Sequence, residues 1–240
     1  AAESKEMFDD ASSSSLTERG SRDSKLSPYL RWGVISPQRA ARAGVRPRDL
    51  LWRDWSRVSY GLLGPLRRGD AVLEFMDGSC RGRPHFDDGG LDYTEEELFR
   101  LWCVGNVGSP LVDSGMRQLW REGWMPRRIR LLAAACLVEG LGIDWRRGRD
   151  WFEDTLVDHD PAINELMWQN AGLCGIDPFY SGIRWEAPPN TREEEDYVER
   201  WSDEEELTWP SSLGPSSTRA PPSQVADGAE SRREVLRSEG

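Results

Sequence analysis

TLVDHDPAINELMW, residues 155–168, carries the clearest structural signal in the chain. Asp160-Pro161 is a helix start with a mechanism. An aspartate side chain accepts from the free N–H groups of a first turn, and a proline placed there has no N–H to leave unpaired. Asn164 and Trp168 follow at steps of four. Each step turns about 400°, so Asp160, Asn164 and Trp168 drift only about 80° and share one broad face. Asp158 stands just upstream, on the loop entering that face. Three readings fit these residue types: a capped helix with a core tryptophan, a metal site, or a polar ligand edge at a helix N-terminus. The metal reading is the poorest, since adjacent Asp158, His159 and Asp160 point different ways and no further ligands stand near.

Helix signals continue upstream. Asp144-Trp145 begins one helix, and PRRIRLLAAACLVEGLG (126–142) is another, closed by Gly140 and Gly142. Ser109-Pro110, Thr94-Glu-Glu-Glu and Ser36-Pro37 are further starts. In RDLLWRDWSRVSYGLL (48–63), Leu51, Trp55, Val58 and Leu62 recur every three to four residues, which predicts an amphipathic helix. Residues 65–93, rich in Gly, Asp and Arg, form a long loop of the kind that is more often functional or disordered than inert. Alternating strand patterns are nearly absent. The expectation is an all-α helical bundle over residues 21–210, flanked by disordered segments at 1–20 and 211–240.

Charge follows the same division. Residues 21–190 carry 23 Arg/Lys against 24 Asp/Glu, while the two ends together carry 8 against 18. The acidic balance therefore belongs to the ends and does not exclude a polyanionic partner for the folded part. Cys80, Cys103, Cys136 and Cys174 lie far apart with no CxxC spacing, and there are only two histidines, His85 and His159. A zinc cluster is not indicated, no metal is expected, and the cysteine pattern suits an intracellular, reducing compartment. No apolar run approaches the ~20 residues of a membrane span.

Two more stretches bear on function. In RDSKLSPYLRWG (22–33), Ser24, Lys25 and Ser27 precede a helix, where they and main-chain N–H groups suit a phosphate; a plain turn is the alternative. GWMPRRIR (123–130), with Arg117 and Arg121 before it, gathers five arginines against Glu122. That is either a solvated helix face or a surface for phosphates and bases. Arg130 is also placed to turn inward and pair with Asp158.

Together these segments resemble the FAD-binding helical domain of the photolyase/cryptochrome family. The motifs that carry the likeness are SKLSPYLRWGVISP (24–37), LLWRDWSR (50–57), SPLVDSGMRQLWREGWM (109–125), IDWRRGRDWFEDTLVDHD (143–160) and Asn164 with Trp168, closed by DYVERW (196–201). LVDHD leans toward the DASH-type cryptochromes and MWQNAG (167–172) toward other branches. The resemblance implies FAD as cofactor, with Ser24, Lys25, Leu26 and Ser27 on its pyrophosphate. Asp158, His159 and Asp160 hold the bent cofactor, and Arg130 pairs with Asp158. Asn164 faces the flavin N5, and Trp168 and Trp145 are the first two members of an electron-delivering tryptophan chain. Asp49, Trp52, Arg53, Trp124, Arg127 and Arg128 form the side toward a flipped-out DNA lesion.

The implied activity is blue-light-driven electron transfer from flavin, with damaged DNA as partner and repair of pyrimidine dimers as outcome. The alternatives are a photoreceptor acting through a signalling partner, or a degenerate domain serving as a protein-interaction module. The family pattern is departed from at Asp23, where Thr is usual, and at Arg127, where Asn is usual. The third tryptophan of the chain aligns near Asp92-Tyr93, and the N-terminal antenna domain is expected to be missing.

Overall fold

The computed structural model describes residues 25–64, 70, 93–176 and 183–202. The two end segments, Ser24, Asp23 and most of the 65–93 stretch lie outside the described residues. Among the described residues there are helices and turns and no strand. Where the sequence suggests one bundle, the chain gathers into two compact units, residues 1–83 with 145–181 and residues 84–144 with 182–240.

The first unit contains α1 (Ser27–Arg31), α2 (Pro37–Arg42), α3 (Pro47–Leu62), α7 (Trp145–Thr155) and α8 (Pro161–Ala171). α8 is its centre, packed against both α7 and α3. Its Leu166 is fully buried, with Trp52, Tyr60, Leu63 and Ile176 packed around it. The expected starts hold. Ser36 Oγ accepts from Arg39 N at 3.2 Å, and Asp160 Oδ1 accepts from Ala162 N at 3.1 Å and Ile163 N at 3.4 Å.

The face of α3 is a correction. Leu51, Trp55, Val58 and Leu62 do form one stripe, but they are exposed by 68, 50, 53 and 78%. The helix instead turns Trp52, Ser56, Ser59, Tyr60 and Leu63 inward. The physical reason lies on α8. Trp52 Nε1 donates to Met167 Sδ at 3.4 Å, and Arg57 reaches Asp160, so directional polar contacts fix the rotation of a helix that is apolar on two sides.

The second unit contains α4 (Glu95–Val104), α5 (Pro110–Glu122), α6 (Arg127–Ala135), a π-helical turn at Cys136–Gly140, and α9 (Arg192–Arg200). A capping box opens α4: Glu97 N donates to Thr94 Oγ1 and Thr94 N donates to Glu97 Oε2. At α5 the expected Ser109 cap is not made. Ser109 Oγ donates to Trp185 O at 2.8 Å instead. Gly115 lets α5 approach α6, because a Cβ there would run into Ile129. Leu98, Trp102, Leu111, Met116, Ile129 and Trp185 are fully buried, and Trp102 Nε1 donates to Ala133 O at 2.9 Å. This unit is a closed core.

Candidate functional site

In the first unit, two motifs about 130 residues apart meet at the N-terminus of α8. Arg31 Nε donates to His159 O, and Trp32 Nε1 donates to Val157 O at 3.0 Å. The SKLSPYLRW segment is thereby fastened to the LVDHD loop. Arg57 Nη2 and Nε then reach Asp160 Oδ2 at 2.6 and 3.0 Å, which ties in α3. Asp158, Asp160 and Asn164 are buried to within a tenth of full burial.

Asp160 does two jobs with two oxygens: Oδ1 caps the helix and Oδ2 takes Arg57. Burial pushes its pKa up, but the Arg57 hydrogen bond and charge, with the two first-turn N–H groups, outweigh this and hold it below its ordinary value. The carboxylate is therefore charged at a helix N-terminus. Asn164 Nδ2 donates to Arg149 O at 3.0 Å, so its amide orientation is set by α7. Lys25 has φ 47 in the left-handed region, next to right-handed Leu26 (φ −86, ψ −8). A left–right pair of this type turns successive main-chain N–H groups to one side, the form of an anion cradle.

The tryptophans also fall into place. Trp168 is buried and meets Phe152 edge-on, with ring centroids 5.0 Å apart. Trp145 is buried against Gly172, where a Cβ would strike the indole. Gly172 N donates to Trp168 O at 2.9 Å, so Trp145 rests one helical turn from Trp168. Below them Arg149 Nη1 lies 3.2 Å from Glu165 Oε2, and Glu165 Oε1 accepts from Gln169 Nε2 at 2.8 Å. Burial raises the Glu165 pKa against the pull of Gln169 and Arg149.

The remaining sequence candidates divide between the units. Asp49 pairs with Arg46 at 3.1 Å and Arg53 with Asp54 at 2.6 Å on α3, beside half-buried Trp52. In the second unit Arg127 is exposed and Trp124 is buried. Arg128 is committed to packing, 2.5 Å from the fully buried Glu194, and Arg130 Nε donates to Met125 O at 3.0 Å. Arg130 belongs to the second unit and Asp158 to the first. Among the described residues no group of three His, Cys, Asp or Glu is placed to hold a metal, and no helix is long and apolar enough to cross a membrane.

Sequence reasoning missed Arg31, Trp32, Arg57, Arg149 and Glu165. The first two lie within the 22–33 stretch itself, but their partners are backbone carbonyls, which carry no residue signature. Arg57 and Glu165 lie on faces whose rotation the apolar pattern misstates or leaves open.

The fold and the site thus define a helical domain with a left–right turned loop and a buried acid pair at one helix N-terminus. The family described as "FAD binding domain of DNA photolyase" matches residues 72–219, and the chain belongs to this photolyase/cryptochrome family. It is 40% identical over 164 residues to the deoxyribodipyrimidine photo-lyase of Agrobacterium fabrum, a match covering 65% of this chain and 33% of that protein. It is 36% identical over 231 residues to the deoxyribodipyrimidine photo-lyase of Thermus thermophilus, covering 91% of this chain and 49% of that protein. Among solved structures, the cryptochrome of Synechocystis sp. PCC6803 aligns with a TM-score of 0.57 and 26% identity, over 88% of this chain and 48% of that one. The chain therefore spans about a third to a half of the length of these relatives. The all-α fold and the FAD assignment made from the motifs both stand.

Proposed function

We propose that this chain binds FAD in its first unit and conducts light-driven electron transfer through Trp168 and Trp145, in the service of pyrimidine-dimer repair in DNA. One observation carries the proposal: Arg31 and Trp32 fasten the Ser27–Arg31 helix to the 157–159 backbone, bringing the phosphate-type loop to the charged Asp160. The residues suit the cofactor. N–H groups around Lys25 and Leu26, with the hydroxyl of Ser27, are donors for a pyrophosphate; the Ser24 called from the sequence lies outside the described residues. Asp158 and Asp160 are acceptors for ring or ribityl N–H and O–H groups. His159 lends its main chain to the same loop. Asn164, held by Arg149 O, keeps its Oδ1 for the flavin edge at N5.

Bound FAD supplies the light absorption and the one-electron chemistry. The protein holds Asp160 ionised through Arg57, excludes water by burying Asn164 and Trp168, and sets Trp145 one turn beyond as the next donor. In the first unit Asp49 and Arg53, beside half-buried Trp52, are the groups for DNA; in the second, Arg127 is an exposed cation for phosphates, while Trp124 and Arg128 serve packing. Cys103, Cys136 and Cys174 are buried thiols, which suits an intracellular reducing compartment.

FAD titration of the purified chain tests the proposal. The expected result is uptake with a visible flavin spectrum, lost in Asp160→Ala; a wild-type chain that stays colourless overturns it. With FAD bound, salt-sensitive affinity for dimer-containing DNA and loss of dimers under blue light support repair. Flavin photoreduction without dimer loss supports a photoreceptor acting on a signalling partner, the role favoured by the cryptochrome likeness.

A further inference from the structure

Trp145 is held between charges. The guanidinium carbon of Arg146 lies 4.7 Å from its ring centroid and that of Arg149 lies 5.4 Å away, both inside the range of a cation–π contact. The indole is 3% exposed, so water screens these charges poorly. Arg149 also meets Glu165 on α8, and Glu165 is itself buried. The other tryptophan of the pair has a neutral neighbour, the Phe152 edge. Trp145 thus carries two guanidinium contacts, whereas the ring contact at Trp168 is with an uncharged aromatic.

A cation over an aromatic face is attracted to the ring's negative quadrupole while the ring is neutral. When the ring loses an electron it becomes a cation, and the same contact turns repulsive. We infer that Arg149, together with Arg146, is a tuning residue for Trp145: the guanidinium clamp keeps that indole reduced and restrains the passage of an oxidising equivalent from Trp168, with Glu165 setting the strength of the clamp. This rests on the electron-transfer role proposed above for the two tryptophans. The step itself is a single electron passing from Trp145 to oxidised Trp168. Trp168 returns to neutral, Trp145 is left as a radical cation, and no bond forms or breaks. The oxidant that first empties Trp168 is the photoexcited flavin or, in the test, a soluble one-electron photo-oxidant.

The geometry makes the side chain separable from the rest of the site. Asn164 is held by the Arg149 main-chain carbonyl, so replacing the Arg149 side chain leaves that anchor in place. Glu165 works in the opposite direction to Arg149: its buried carboxylate offsets part of the guanidinium charge, the exposed Asp150 at 2.7 Å offsets another part, and removing Glu165 leaves more net positive charge beside the ring. Arg149→Gln and Glu165→Gln break the same ion pair, yet one lowers and the other raises the net positive charge at Trp145.

The test uses the ligand-free chain, oxidised by brief illumination with a soluble photo-oxidant, and peptide mapping of the oxidation products at Trp145 and Trp168. In Arg149→Gln the Trp145 share of product is expected to rise several-fold, and in Glu165→Gln to fall below wild type. Arg149→Lys, which keeps the charge, is expected to stay near wild type. Loosened packing would move both glutamine variants the same way, so shifts of one sign, or an unchanged ratio, overturn the inference. Failure of the chain to take up FAD would overturn the proposed function, while opposite shifts in the ligand-free chain would still establish the clamp.

Discussion

Arg128 meets Glu194 at 2.5 Å in the second unit, and Arg57 meets Asp160 at 2.6 Å in the first. Both are arginine–carboxylate pairs joining elements far apart in sequence. Glu194 is fully buried, also accepts from Asn190 N at 2.9 Å, and Tyr197 on the same helix donates to Gln118 at 2.7 Å. That pair docks α9 onto a closed core. Asp160 stands at a helix N-terminus beside a loop, and its arginine is 36% exposed. The same chemistry holds a helix in place in one unit and keeps a binding group charged and aimed in the other.

The largest expected effect follows from this difference. Arg128→Ala leaves the Glu194 carboxylate buried without its cation, which costs about 3–5 kcal/mol. A denaturant midpoint series reads this directly, and a loss under 1 kcal/mol would mean that the two pairs are alike after all. The second unit carries another buried carboxylate with the opposite sign of effect. Asp113 accepts from Val107 N at 2.8 Å and Gly108 N at 3.0 Å, but burial outweighs these bonds and nearby Arg117 and raises its pKa to about 6. A folded pKa above the unfolded 3.8 means a stabilising contribution that is complete below about pH 4 and lost as pH rises through about 6. Wild type should lose about 3 kcal/mol relative to Asp113→Asn between pH 3 and pH 7, at 1.36 kcal/mol per pKa unit. A pH-independent difference between the two proteins would count against the burial term.

In the first unit the expected costs are smaller and fall more on the site. Gly172→Ala drives a methyl group into the Trp145 indole, an overpacking cost of about 1–3 kcal/mol. It should also change the Trp145 share of photo-oxidation product, which a purely global destabilisation would not do. Arg57→Ala should cost about 1 kcal/mol of stability, because the exposed arginine is screened and the Asp160 cap survives. It should weaken FAD binding roughly tenfold, about 1.4 kcal/mol. Equal losses of stability in Arg57→Ala and Arg128→Ala would erase the contrast between the units.

How much of this was legible beforehand follows from what kind of contact each feature uses. Caps announce themselves, since Asp160-Pro161, Ser36-Pro37 and Thr94 with Glu97 combine a side chain with the backbone next to it. The acid pair stands out by its types and spacing at a helix start, whereas the two tryptophans are singled out only by the family likeness, since a buried indole by itself reads as core. Arg31 to His159 O and Asn164 to Arg149 O were not legible, because any residue offers a carbonyl. The rotation of α3 was misjudged for a related reason. Its apolar stripe is regular, while its true inner face is mixed: Trp52, two serines, Tyr60 and Leu63 around Leu166.

That misjudged face gives the smallest prediction and one that separates the two sides of α3. Leu62 is 78% exposed and lies at the end of the outward stripe, whereas Leu63, its neighbour, packs against Leu166. A residue that leaves little surface on unfolding has little to lose. Leu62→Glu should therefore change stability by less than about 0.5 kcal/mol. Leu63→Ala removes part of the cluster on Leu166 and should cost more, about 1–2 kcal/mol for a half-buried leucine, below the 2–5 kcal/mol of a fully buried one. Thermal melts of the two variants decide it. If Leu62→Glu proves the costlier, the stripe of Leu51, Trp55, Val58 and Leu62 is the packed side of α3, and the Arg57–Asp160 pair does not set the rotation of that helix.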